Sequence, residues 1–154
     1  MALDRIDKKI LYWLQRDASL SLAELSEKVG LSSTPCWRRV QQLEKAGVIE
    51  RRVALVNPKK INLGVTVFVR LRTSQHDVAW LAGFATAIND IPEVVEVYRL
   101  SGYIDYLLRI LVPDIAGYDA VYKQLIQAAS FADVSANFSM ETIKQTTELP
   151  LDYI

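Results

Sequence analysis

The stretch SLAELSEKVGLSSTPCWRRVQQLEKAG, residues 21–47, predicts two short helices joined by a tight turn. Ser21 suits the N-cap of the first helix, and Glu24 three residues later completes the pattern of a capping box. Gly30 suits the left-handed position that ends a helix, and Ser32 can cap the next one. The apolar residues of the first helix recur at helical spacing and form one stripe, Leu22, Leu25 and Val29.

The second helix of this stretch divides into two faces when its residues are placed at about 100° each. The inward face is apolar and consists of Cys36, Val40 and Leu43. The outward face and its flanks carry no carboxylate, and they supply the candidate DNA-binding residues Ser33, Thr34, Trp37, Arg38, Arg39, Gln42 and Lys45. Such a donor-rich surface suits DNA phosphates and base edges in the major groove. An ordinary solvated helix in a helical hairpin explains the same spacing equally well.

The segments on both sides extend this unit. A helix is predicted from about Asp4 to Asp17, with Asp4 as its cap, and it supplies the third wall of a three-helix core. The alternation in residues 53–56 predicts a strand, which at this place in the chain would form a wing. Arg51 and Arg52 at its start could reach flanking phosphates or a minor groove, although a basic loop in water fits these two arginines nearly as well.

Composition excludes several classes of protein. A hydrophobic content of 51% argues against disorder. No apolar run approaches the ~20 residues of a membrane span, and charged residues near the amino terminus interrupt any signal peptide. One cysteine and one histidine exclude an intrachain disulfide, a Cys-based zinc site and a His-pair metal site. We therefore expect a cytoplasmic protein with no metal, cofactor or membrane partner.

Neither of those two single residues supports catalysis. Cys36 is expected to be a small buried hydrophobic residue, and His76 is expected to flank the start of a helix in solvent. No nucleophile with an adjacent base and no phosphate-binding glycine-rich loop can be assembled from the sequence. The chain is therefore not expected to be an enzyme.

The net charge is zero over the whole chain but is divided unevenly along it. Residues 1–60 carry twelve lysines and arginines against seven acids, a net charge of +5, and residues 61–154 carry −5. This asymmetry predicts two domains with different partners. The predicted division is a DNA-binding domain with wing and linker over residues 1–60 and a second domain over residues 61–154.

From residue 65 the chain alternates strands and helices in the order β-α-β-β-α-β, the pattern of a ferredoxin-like sandwich in an α+β protein. The predicted strands are residues 65–73, 93–101, 104–112 and 134–143, and the predicted helices are residues 77–89 and 114–129. The predicted core-facing residues of the helices are Val78, Leu81, Ala85 and Ile88 in the first and Ile115, Tyr118, Tyr122, Leu125 and Ile126 in the second.

The face of the predicted sheet that lies away from the helices has nothing to cover it. Its positions include the apolar residues Phe68, Leu107, Leu111 and Val94. An uncovered apolar face of this kind is typical of an interaction surface. We therefore expect a homodimer or a larger assembly formed through this domain.

The predicted hairpin turn SGYIDY, residues 101–106, crowds two tyrosines and an aspartate into a tight turn. Gly102 allows close approach to the backbone, whose N–H groups could bind a carboxylate, while Asp105 could accept from an ammonium group. This combination suits a free amino acid. From the residues alone, a hairpin with exposed tyrosines at a subunit interface is the favoured alternative.

Five stretches of the chain, taken in order, carry a resemblance to a known family. They are LDRIDKKIL, LSLAELSEKVGLSSTPCWRRVQQLEKAGVI, ALVNPKKINLG, LSGYIDYLLRI and FSMETIKQTTELPL. With these stretches the chain resembles the leucine-responsive (Lrp/AsnC, or feast/famine) transcription regulators over essentially its whole length. The stretches STPCWRRV and TTELPL also resemble a branch of the family linked to cysteine catabolism.

This resemblance implies an amino-terminal winged helix-turn-helix and a carboxyl-terminal domain that senses amino acids. It implies dimers that pair through the sandwich domain and assemble into tetramers or octamers. It also implies that the effector binds between sandwich domains at the hairpin turn. Carried over by position, the effector-binding residues are Gly102, Tyr103, Ile104, Asp105 and Tyr106.

The sequence thus predicts a sequence-specific DNA-binding transcription regulator. Its DNA binding or assembly would respond to a small amino acid, with cysteine, leucine and methionine as the candidates. The rival hypotheses are an amino-acid-binding regulatory subunit of a metabolic enzyme and a scaffold that organises DNA. The basic first domain argues against the enzyme subunit, because an enzyme partner does not require that charge.

Overall fold

The computed structural model of the chain describes residues 2–75 and 77–154. The prediction for His76 therefore lies outside the described residues. Within the described ranges, no helix combines the length and the apolar character that crossing a membrane would require.

The chain forms two compact units whose boundaries differ from the predicted domains. The first unit takes in the chain up to Leu55 together with Ile143–Ile154, and the second unit is Val56–Thr142. The predicted division at residue 60 placed the carboxyl-terminal tail in the second domain. The tail belongs instead to the first unit, where Leu149 bonds to Gln15 and Glu148 pairs with Arg16, at the end of the first helix.

The first unit is built on three helices, α1 (Arg5–Leu14), α2 (Leu22–Val29) and α3 (Ser33–Lys45). Helix α1 ends three residues before the predicted end at Asp17. The Asp17 carboxylate accepts hydrogen bonds from the backbone N–H and the hydroxyl of Ser19, at 2.9 and 2.5 Å. Such local bonding of an aspartate favours a turn over continued helix.

The caps of these helices follow the local sequence closely. Asp4 and Asp7 form a capping box on α1, and Ser21 and Glu24 form one on α2. Gly30 ends α2 with a φ of +77°, in the left-handed region that glycine adopts without a steric penalty. Ser32 occupies the N-cap position of α3, as predicted, but its side chain makes no capping hydrogen bond.

The core of the first unit consists of the buried residues Ile10, Leu11, Leu25, Val29, Cys36, Val40 and Leu43. It matches the predicted inward faces except at Leu22, whose side chain remains 37% exposed. Burial raises the pKa of the Cys36 thiol, so that this cysteine stays protonated and behaves as an apolar side chain.

The predicted wing strand is not formed. Residues 51–57 have no regular structure, and Val53, Leu55 and Val56 are 59%, 73% and 65% exposed. A strand requires a hydrogen-bonded neighbour, and this segment pairs with no strand among residues 2–75 and 77–154. A short 3₁₀ helix follows at Pro58–Ile61, where the linker was predicted.

The second unit has the predicted element order, β1 (Val65–Arg72), α4 (Val78–Asn89), β2 (Val94–Arg99), β3 (Tyr106–Val112), α5 (Ile115–Ala128) and β4 (Asp133–Phe138). The four strands form one antiparallel sheet in the order β2-β3-β1-β4. Strand β1 at its centre aligns Val67 with Ile110 of β3 and with Phe138 of β4.

One face of this sheet packs against α4 and α5. The strands contribute the fully buried residues Val67, Val69, Leu71, Leu108, Ile110 and Val112, and the helices contribute Phe84, Ile88, Val121 and Leu125. The predicted helix faces are therefore only partly correct, since Val78, Ile115 and Ile126 are 83%, 71% and 47% exposed. Both helices are apolar around much of their circumference, so their sequence alone does not select one face.

The opposite face of the sheet, here called the outer face, carries Phe68, Leu107 and Leu111 as predicted. Val94 does not belong to it, because Val94 aligns with Ile110 and packs on the core side. The outer face also holds an ion pair between Arg109 and Glu96. The Arg109 guanidinium lowers the pKa of Glu96, so that this carboxyl remains ionised on a half-apolar surface.

The burial difference within α5 gives a stability test. Leu125→Ala should destabilise the protein by ~2–5 kcal/mol, because it leaves a cavity under the sheet. Ile126→Ala is the matched control on the same helix, and it should cost much less because its side chain is 47% exposed. Urea unfolding followed by circular dichroism measures both. Equal losses for the two variants would contradict the observed packing of α5.

Candidate functional site

The exposed face of α3 carries most of the predicted DNA-binding residues. Those that are exposed on this helix are Ser33, Thr34, Trp37, Arg38, Gln42 and Lys45. Glu44 is turned away from this face, where its carboxylate accepts from Gln41 at 2.8 Å and from Arg52 at 3.0 Å. The exposed face of α3 therefore offers cations, an amide, hydroxyls and an indole. These groups suit the phosphates and the polar base edges of a nucleic acid.

Arg39 has a different environment from the other predicted DNA-binding residues. Its Nη1 lies 2.7 Å from a carboxylate oxygen of Asp4 and 2.8 Å from one of Asp7, which is only 8% exposed. The hydrogen bonds to Asp7 and Asp4 raise the pKa of Arg39, which therefore stays charged. The Asp7 backbone N–H and then Arg39 lower the pKa of Asp4. Arg39 therefore ties α3 to the amino-terminal end of α1.

The two arginines after α3 are both exposed. Arg52 donates to Glu44 at 3.0 Å, while Arg51 has no ion-pair partner among the described residues. An exposed pair such as Arg52–Glu44 contributes at most ~1 kcal/mol. Arg52 can therefore exchange Glu44 for a phosphate at little cost.

The predicted effector-binding turn connects β2 to β3 and is held by hydrogen bonds. The Asp105 N–H donates to the Leu71 carbonyl at 2.9 Å, and the Asp105 carbonyl accepts from Leu100 at 2.8 Å. The Asp105 carboxylate accepts the backbone N–H of Thr73 at 2.8 Å. Gly102 has a φ of +121°, which a residue with a side chain rarely adopts. The turn is therefore fixed on the end of β1 before any ligand arrives.

The two tyrosines of this turn occupy opposite environments. Tyr103 is 80% exposed, whereas Tyr106 is 6% exposed and belongs to the core of the second unit. The Tyr106 ring centroid lies 5.0 Å from that of Phe84 and 5.7 Å from that of Trp80. Ile104 and Asp105 are half-buried between these extremes. Tyr106 therefore lies beneath the turn rather than on its exposed surface.

The structure adds Arg72 to the turn, which sequence reasoning missed. Its Nη1 donates to the Tyr103 hydroxyl oxygen at 3.1 Å, and its guanidinium carbon lies 4.5 Å from the Tyr103 ring centroid. A guanidinium stacked on an aromatic ring keeps its planar fork free for a carboxylate. The only sequence signal was its place near the end of the predicted strand 65–73, and nothing in the spacing pointed to Tyr103.

A cavity of about 190 Å³ is lined in part by Tyr106. Its lining includes an aspartate, an arginine and two aromatic side chains, Asp77, Arg99, Trp80 and Tyr106. The Trp80 indole N–H is buried and has no hydrogen-bond partner among the described residues. The lining of this cavity thus combines a cationic and an anionic side chain with aromatic rings.

The sequence matches two protein-family models. The model described as winged helix-turn-helix DNA-binding matches residues 3–50. The model described as Lrp/AsnC ligand binding domain matches residues 66–149. The first match ends before the segment predicted as a wing, and the second includes both the hairpin turn and most of the carboxyl-terminal tail.

Individual proteins and structures match over nearly the whole chain. The chain is 53% identical over 149 residues to the glutamate uptake regulatory protein of Zymomonas mobilis, covering 97% of this chain and 91% of that protein. An AsnC family transcriptional regulator from Agrobacterium tumefaciens has 58% identity, a TM-score of 0.95 and 99% coverage of both chains. A transcriptional regulator from Neisseria meningitidis, solved as a complex with L-Met, has 37% identity, a TM-score of 0.94 and the same coverage. The α+β fold and the resemblance drawn from the sequence are confirmed.

The position of Arg39 gives a prediction about stability. Arg39→Ala should lower the free energy of unfolding by ~1–3 kcal/mol, because it leaves the nearly buried Asp7 carboxylate without its charged partner. Arg38→Ala, one residue earlier on the exposed face, is the control and should change stability by no more than ~0.5 kcal/mol. Urea titration of both variants decides the matter, and equal effects would argue against a structural role for Arg39.

Proposed function

The chain belongs to the Lrp/AsnC family of transcriptional regulators, and from this premise we propose that α3 reads DNA under the control of a small amino acid bound by the second unit. The observation that carries the proposal is the exposed face of α3, which presents donors without a carboxylate on a fully packed helical core. No catalytic role, metal or cofactor is part of this proposal.

On DNA, the proposed roles of the residues differ with their position on the first unit. Arg38 and Gln42 lie one helical turn apart on the exposed face, and both side chains can form bidentate contacts with base edges. Lys45, Arg51 and Arg52 are proposed to bind phosphates on either side. Arg39 is proposed to hold the helix at its angle rather than to touch DNA.

For the effector, the turn between β2 and β3 is the proposed binding place. The Arg72 guanidinium and the backbone at Gly102 supply groups for a carboxylate, and Asp105 supplies charge for an ammonium group. The solved complex of the Neisseria meningitidis relative with L-Met supports an amino-acid effector. Methionine, leucine and cysteine remain the proposed candidates.

Assembly is proposed to proceed through the outer face of the sheet. Phe68 is 37% exposed there beside Leu107, Leu111 and the Arg109–Glu96 ion pair. Burying such a surface against a second copy would remove apolar area from water while keeping its charges paired. We propose a homodimer that assembles further to a tetramer or an octamer, acting on double-stranded DNA in the cytoplasm.

The DNA-binding proposal predicts an effect confined to sequence-specific binding. Arg38→Ala should weaken binding to the operator by ~1–3 kcal/mol, with a smaller loss on random duplex, if Arg38 contacts a base. The DNA upstream of the chain's own gene is the duplex to test first, by gel shift with excess competitor. Lys123→Ala on the exposed surface of α5 is the charge-matched control. Equal losses on both duplexes would instead assign Arg38 to the phosphate backbone.

The effector proposal is tested by Asp105→Asn. Asparagine can still accept the Thr73 N–H, so the turn should keep its shape, but the negative charge for an ammonium group is lost. Binding of L-methionine, or of whichever common amino acid raises the melting temperature most, should weaken at least ~10-fold by calorimetry. Asp90→Asn, at the exposed end of α4, should bind as the parent does. Unchanged binding by Asp105→Asn would move the effector site away from the turn.

A further inference from the structure

The carboxyl-terminal tail of the chain is bound by the end of α1. The Gln15 side-chain amide donates to the Leu149 carbonyl at 3.3 Å and accepts the Leu149 N–H at 2.6 Å. Arg16 forms an ion pair with Glu148. Two hydrogen bonds thus join residues 134 positions apart in the sequence, and one ion pair joins their neighbours.

The surface that receives the tail is held in place by α1 itself. Gln15 is the C-cap residue of α1, so its backbone is fixed by the helix. Arg16 donates to the Tyr12 carbonyl at 3.0 Å, and its guanidinium carbon lies 3.5 Å from the Tyr12 ring centroid. The Arg16 side chain is therefore oriented by contacts that do not involve the tail, and the Gln15 backbone is fixed by the helix, which lowers the entropy lost on binding.

The tail presents a matching set of groups. Pro150 restricts Leu149 to extended backbone, which keeps its N–H and carbonyl available for one glutamine side chain. Glu148 supplies the charge that Arg16 requires, and Leu151 packs against the three-helix core. The surface at the end of α1 therefore fits an extended peptide with an acid, a leucine and a second leucine two positions later.

We propose that residues 148–151, here called the tail strap, bind α1 of their own chain and couple the ligand-binding unit to DNA binding. The tail strap follows β4 in the same chain, while α1 is tied to α3 by Arg39. A conformational change in the second unit that displaces the tail strap would be transmitted to α3 in two steps. The first is the contact of the tail strap with α1, and the second is the Arg39 contact between α1 and α3. The coupling rests on the proposed function, whereas the binding of the tail strap to α1 does not.

Hydrogen exchange on the full-length protein tests whether the tail strap is bound. The amide of Leu149 should exchange slowly in the parent and several-fold faster in Glu148→Ala and in Gln15→Leu. Glu141→Ala is the matched control, since Glu141 is an exposed acid of the segment before the tail strap with no ion pair among the described residues. Fast exchange of this amide in the parent would overturn the proposal.

A crosslink distinguishes binding within one chain from binding between two. The full-length double variant Gln15→Cys/Leu149→Cys is treated with a short thiol-reactive crosslinker and run on a denaturing gel. The parent serves as control, because its single cysteine, Cys36, is fully buried. A faster-migrating monomer supports the proposal, and a covalent dimer overturns it by assigning the tail strap to a second copy.

The coupling is tested with random duplex DNA at low salt. Binding of this DNA to the parent should change the exchange rate of the Leu149 amide, and Glu148→Ala should change the dissociation constant several-fold by linkage. Glu141→Ala should leave the dissociation constant as it is in the parent. Unchanged exchange and affinity would overturn the coupling and leave the tail strap a structural contact. If the parent binds no duplex, the proposed function fails, while exchange and crosslinking still decide whether the tail strap exists.

Discussion

The ion pairs of Arg39 with Asp4 and Asp7 are the contact on which the candidate DNA-binding face of α3 depends. Apolar packing holds the three helices together, but hydrophobic contact is non-directional and does not by itself fix the angle between them. Arg39 adds a charged link between α3 and the capping box that begins α1. The same two aspartates therefore start one helix and orient another. Because they pair with Arg39, the other cations of α3 remain available to a ligand.

Much of this architecture could be predicted because its causes are local. The capping boxes of Asp4 and Ser21, the glycine that ends α2 and the alternation of β1 and β3 each depend on residues a few positions apart. The candidate site was less predictable. Arg39 bonds to residues 32 and 35 positions away, and Arg72 reaches a tyrosine 31 positions away. Sequence spacing carries no signal for such pairs, which depend on how the helices and strands pack.

The wrong predictions have equally specific causes. Residues 53–56 alternate like a strand, but a strand also needs a partner, and no strand of the described chain pairs with them. Helices α4 and α5 are apolar on several sides, so the spacing of Val78 or Ile126 fits a stripe that the packing does not use. Periodicity selects a buried face only when the other faces of the helix are polar.

The two candidate binding surfaces differ in whether their groups already have partners, and this difference bears on mechanism. Arg38 and Gln42 stand on a rigid helix without side-chain partners in the described structure, so DNA need not displace any contact to reach them. The turn at Gly102 is already closed by the bonds of Asp105 to Leu71 and Thr73. A turn that is ordered beforehand loses little entropy when it binds a small molecule, but it also cannot signal by folding around it. Under the proposed function, an effector bound there would act by favouring one arrangement of whole units over another, since only such differential binding shifts an equilibrium.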